Sequence, residues 1–151
     1  MGIASSNSGW FSAVTSATAW ATTPVEGRTV VLRAAINRTL ATISTPSGWT
    51  LVADQPHNAN DFIHQYIWAK TAGPAEPAPT IAASESVICG WDLLELDGEY
   101  TLAAETADYS TASGATITFP AATVTDTAMV IHHGFHKMGG TTVGAFTPGT
   151  G

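Results

Sequence analysis

Charge is what this chain has least of. Asp, Glu, Lys and Arg together make up 11% of its 151 residues, against about 25% in an ordinary soluble domain. The five bases, Arg28, Arg33, Arg38, Lys70 and Lys137, form no cluster. Binding a phosphate backbone takes a basic stripe, so no nucleic acid is expected as a partner. The net charge of −7 reflects few bases rather than many acids. Cysteine is nearly absent too. The lone Cys89 has no partner within the chain, and its apolar context suits a small buried side chain. Stability must come from packing.

Long hydrophobic runs are missing as well. Nothing approaches the roughly 18 apolar residues of a membrane span. Residues 1–6 (MGIASS) lack the basic region and apolar core of a secretory signal. They fit the N-myristoylation pattern, but no polybasic second anchor follows. Catalytic signatures are absent: no Gly-x-Ser-x-Gly elbow, no His-Glu-x-x-His, no phosphate-cradling loop and no dinucleotide fingerprint. No enzyme activity and no cofactor are expected.

What remains is 44% hydrophobic residues spaced by serine, threonine, alanine and glycine. That is enough apolar mass to fold. A polar but weakly charged surface suits a subunit packed among others, or a β protein exposed on a particle.

The chain is organised around Thr45-Pro46-Ser47-Gly48-Trp49-Thr50-Leu51-Val52. Proline presets the second position of a tight turn, and glycine suits its end. Trp49 then opens a strand as a core anchor. Residues 9–23 predict one or two short strands, with bulk from Trp10, Phe11 and Trp20. Residues 28–37 (RTVVLRAAIN) predict a strong strand whose Val30, Leu32, Ala34 and Ile36 line the core. Residues 54–61 (DQPHNAND) read as a surface loop, and 62–70 as a strand apolar on both faces. The prolines of 73–79 exclude a central strand. A short strand at 80–83 precedes the most apolar one, 87–96, in which Gly90 suggests a bulge or a close neighbour. Residues 100–109 allow a short helix or a loop. Strands are predicted at 115–119 and 127–137. The expectation is an all-β chain, a single domain over 1–151 built as a two-sheet antiparallel sandwich or jelly roll.

Two regions echo each other. Residues 24–32 align weakly with 123–131, Asn37-Arg38 with His136-Lys137, and Ser44-Thr45-Pro46-Ser47-Gly48 with Phe146-Thr147-Pro148-Gly149. Only the first copy continues into a strand after its turn. The expectation is therefore a domain lacking its final C-terminal strand, either truncated or completed by a neighbouring subunit.

The Pro-x-Gly-Trp turn, Trp68-Ala69-Lys70, Glu76-Pro77 and the strand closing at Leu96-Asp97-Gly98 follow one another in an order that resembles bacteriophage virion β-sandwich modules. Those modules occur in tail fibres and head decoration proteins. The resemblance covers roughly residues 25–98, with a weaker second pass over 115–151, and bears on architecture more than role. It implies location in a virion, many copies and homo-oligomeric packing. His132, His133 and His136 depart from it, as does the last turn, which lacks its aromatic.

Few residues qualify as sites. His132 and His136 would share a strand face about 13 Å apart at about 3.3 Å per residue, too far to share a metal. His57 and His64 would need a fold contact to join them. Asp92, Glu95, Asp97 and Glu99 surround a glycine turn but lack a calcium-loop spacing. No metal site is expected. Pro46, Gly48 and Trp49 are assigned as the structural turn and core anchor. Trp10, Tyr66 and Tyr100 are the candidates for stacking on a host-surface glycan. The expected function is a non-enzymatic structural protein of a phage particle, acting through subunit packing. The alternative is a carbohydrate- or receptor-binding module of a tail fibre or bacterial surface protein.

Overall fold

The computed structural model describes residues 2–38, 40–57 and 63–101. Five strands follow in chain order: β1 (Ile3–Ala17), β2 (Thr29–Ile36), β3 (Thr50–His57), β4 (Ile63–Thr71) and β5 (Thr80–Leu96). They form one antiparallel sheet in the order β1-β5-β2-β4-β3. The described residues contain no helix. The layout follows from β2, whose TVVLRAAI is apolar on both faces and therefore belongs inside. Its neighbours β4 and β5 are the next most apolar strands, and the polar β1 and β3 take the edges.

On one face Val30, Leu32, Ala34 and Ile36 of β2 pack with Tyr66 and Trp68 of β4 and with Val87, Cys89, Trp91 and Leu93 of β5. His64, Tyr66 and Trp68 alternate along β4 and stack in a column, with centroids 4.3 and 5.2 Å apart. The 41–49 segment lies over this face, contributing Ala41, Ile43 and Trp49. Ser44 N–H donates to Ala82 O, and Ser84 N–H to Thr42 O, so the segment is laced to the start of β5. On the opposite face Val31, Leu94 and Leu96 are buried beside Ile67 and Tyr100.

The turn before Trp49 differs from expectation by one position. Trp49 N–H donates to Pro46 O at 3.1 Å, which makes Pro46 the first residue of the turn. Gly48, at φ +78°, is the third. That position of a type II turn demands a positive φ, so glycine sets the register. Trp49 is 8% exposed and stacks on Trp20, ring centroids 6.4 Å apart.

Three strand boundaries also differ. β1 begins at Ile3, six residues before the predicted start at Gly9, and runs for 15 residues. β3 continues to His57, through the first half of the predicted 54–61 loop. Pro56 is tolerated there because an edge strand has a side that needs no N–H. The predicted strands at 80–83 and 87–96 join into one 17-residue β5. Its irregularity lies opposite Ala13 and Thr15, where the pairing jumps from Val87 to Ala82. The pairing passes through Gly90 without a slip. The possible helix at 100–109, apart from Tyr100 and Thr101, lies outside the described residues. So do the strands at 115–119 and 127–137, the second turn and the second copy of the echo.

Candidate functional site

Several of the charged residues are turned to internal use. Glu95 extends the buried stripe of Val87, Cys89, Trp91 and Leu93, and is itself 3% exposed. Its carboxylate accepts bonds from Ser5 Oγ at 3.1 Å, Val25 N–H at 3.0 Å and Arg28 Nη1 at 2.9 Å. Burial pushes its pKa up, but those three donors outweigh it and hold the group below the usual glutamate value. One carboxylate thus ties β1, the 24–28 turn and β5 together.

A second carboxylate does the same nearby. Glu76 is buried in the proline-rich loop, accepting from Lys70 Nζ and from Gly73 N–H, each at 2.9 Å. Beside it a cavity of about 300 Å³ is lined by Pro46, Trp49, Lys70, Glu76 and Pro77. The charges there already bind each other. On the other face Arg33 Nη2 donates to Asp92 Oδ2 at 2.9 Å. Burial lowers the Arg33 pKa, with Asp92 opposing the shift.

Among the described residues, the one arrangement that resembles catalytic machinery is Tyr66–His64–Asp54. The Tyr66 hydroxyl lies 2.9 Å from His64 Nδ1, and His64 Nε2 lies 2.5 Å from Asp54 Oδ1. Ala41 O is 3.1 Å from the same Nδ1. With the proton on Nε2, His64 donates to Asp54 and accepts from Tyr66, and the Ala41 carbonyl, itself an acceptor, takes no bond from the ring. A nucleophile must meet its substrate, however, and Tyr66 is 2% exposed under the 41–49 segment. Burial raises its pKa. The network satisfies buried polar groups, as the low-dielectric interior requires.

The candidate glycan residues are not brought together. Trp10 is 75% exposed on β1. Through the register Trp10–Gly90–Ala35–Gln65, it faces the side of the sheet opposite Tyr66. Tyr100 is half-buried against the Val31 cluster, and its hydroxyl donates to Asp97 Oδ1 at 2.5 Å. Asp92, Glu95 and Asp97 are likewise engaged separately, and the described residues hold no group of three or more metal-ligating side chains. His57 lies at the end of β3 opposite Ile63. His132, His133 and His136 lie outside the described residues. Pro46, Gly48 and Trp49 meet in the turn and core described above.

Sequence reasoning missed the roles of Glu95 and Glu76. The first carried a signal, its place in the alternation of β5. The second carried none, because a proline-rich loop has no periodicity to read. No helix among the described residues is long and apolar enough to cross a membrane. No protein-family model matches this chain, and no curated protein or solved structure does either.

Proposed function

We propose that this chain is a non-enzymatic structural subunit of a bacteriophage particle, a β-sandwich module that works in many copies through subunit packing. The observation that carries the reading is the division between its interior and its surface. Arg28, Arg33 and Lys70 are each held by an acid of the same chain. Among the described residues the surface keeps six scattered charges, Glu26, Arg38, Asp54, Glu85, Asp97 and Glu99, set among serine, threonine and exposed apolar groups such as Trp10, Ile88 and Val14. Surfaces of that kind associate readily, because little charge must be desolvated.

The second face of the sheet supports the sandwich. Val31, Leu94 and Leu96 are buried there, and a sheet apolar on both faces needs a layer on each. In this reading the strands predicted at 115–119 and 127–137 supply a second layer over the Val31 end of that face and leave Trp10 and Ile88, at its other end, exposed. Location on a virion rests on the order of motifs from the Pro46 turn to Gly98.

Quantitative mass spectrometry of purified particles tests the assignment. The expected result is a copy number in fixed ratio to a capsid, tail-tube or fibre protein. Particles free of the chain would overturn it. The alternative, a glycan- or receptor-binding module, is favoured by one observation, the exposed Trp10 indole. Selective binding by the full chain on a glycan array, lost in Trp10→Ala, would move the assignment to that reading.

A further inference from the structure

The two edges of the sheet are built differently. β3 is eight residues long, slips register between Leu51 and Ala53, and carries Asp54 and Pro56. Bulges, charges and prolines are the devices by which edge strands avoid pairing with other chains. β1 has none of these protections on its central stretch. It is 15 residues long, contains no proline and no charge, and pairs without a slip from Ser5 to Ala13. Among the described residues its only neighbour is β5. The neutrality extends further: the first charged side chain of the chain is Glu26.

We infer that β1 pairs antiparallel with β1 of a second copy, about a two-fold axis at Trp10. This names the contact within the multi-copy reading above and rests on it. Three observations select a second copy as the occupant. First, each chain carries a net charge of −7, so two copies repel unless they meet where neither is charged. β1 is such a surface. Second, the strand is self-complementary about Trp10. Antiparallel pairing there sets Ser8 opposite Ser12, Gly9 opposite Phe11, Asn7 opposite Ala13 and Ser6 opposite Val14, so that away from the axis no two bulky side chains oppose each other. Third, the two-fold brings the same face of both sheets together. Trp10, exposed on that face and set over Gly90 in the register, meets its own symmetry mate. Cross-strand aromatic pairs stabilise a sheet. The contact is isologous and closed, and it merges two five-stranded sheets into one of ten strands.

The test uses the full chain carrying Ser8→Cys and Ser12→Cys together. In this register residue 8 of one copy lies beside residue 12 of the other, within about 5.5 Å between Cβ atoms. Within one copy the two are about 13 Å apart. Mild oxidation is expected to give a disulfide-linked species of twice 15.6 kDa. Either single variant is expected to stay unlinked alone, and a mixture of the two singles to link. Cys89 is fully buried and its thiol pKa is pushed up to about 12 by burial, so it does not compete. Sedimentation of the unmodified chain is expected to show the dimer, and Trp10→Lys, which opposes two charges at the axis, half that mass with an unchanged circular dichroism spectrum. A monomeric unmodified chain, as expected if residues after Thr101 occupied this edge, would overturn the pairing. So would linkage of the single variants as efficient as that of the double. A dimer absent from particles would keep the pairing and overturn the virion reading. A particle-bound chain without the 8–12 link would overturn the pairing alone.

Discussion

The Trp91 indole occupies the space that a side chain at Gly9 would need. The two residues sit opposite each other in the β1–β5 pair, and a Cβ on Gly9 would come within 2.5 Å of Trp91 Cζ2. Trp91 is packed in the core and has little room to retreat. Gly9→Ala is therefore expected to destabilise the chain by about 1–3 kcal/mol, the usual cost of overpacking. At about 2–4 °C per kcal/mol for a chain of this size, thermal unfolding should show a clear fall in Tm. An unchanged Tm would mean that Trp91 is free to move.

Glu95 predicts a pH dependence. Its pKa lies below the ordinary value of 4.5, because its three donors outweigh burial. A lowered carboxylate pKa stabilises the fold above the unfolded-state value, and that contribution is lost as pH falls through the folded-state value. Glu95→Gln removes the charge that Arg28 answers and is expected to cost about 2 kcal/mol at pH 7. The gap between the two proteins should narrow as pH falls below about 4.5. Denaturant titrations at pH 7 and pH 3 check this.

Cys89 should be chemically silent. Burial pushes its pKa from 9.0 to about 12, and the thiolate is the reactive form. A thiol reagent at pH 8 is expected to label it only after unfolding. A raised thiol pKa contributes stability that is present below pH 9 and is lost as pH rises towards 12. Rapid labelling of the native chain would contradict its place in the core.

The Pro46–Trp49 turn makes a prediction about backbone strain. Gly48 sits at φ +78°, where an L side chain is disfavoured by roughly 1–2 kcal/mol. Gly48→Ala should lower stability by about that amount, although the space there is open except for Lys70 Nζ at 3.8 Å. Trp49→Ala leaves a cavity beside Trp20 and should cost about 3–5 kcal/mol. Urea unfolding of both variants measures the difference between strain and lost packing.

The all-β class, the apolar stripe of β2 and the burial of Cys89 were legible in the sequence because alternation and composition report burial directly. The edges were not. Asp54, Gln55 and Pro56 look like a loop, yet an edge strand accepts them since its outer side has no ladder to complete. Ser5 to Ser8 show no alternation of apolar and polar side chains, yet β5 supplies the pairing that makes them a strand. The Tyr66–His64–Asp54 network was hidden for a different reason. His64 and Tyr66 alternate on β4, but the carboxylate comes from β3 and the carbonyl from Ala41. Only the pairing of strands brings those atoms within reach.

If the proposed function holds, the chain is built into a phage particle. Electron microscopy of purified phage particles, labelled with antibody to this chain, is the decisive measurement. Labels are expected at regular, symmetry-related positions on the head, tail or fibre. Unlabelled particles, with all of the chain recovered as free protein, would overturn the proposal.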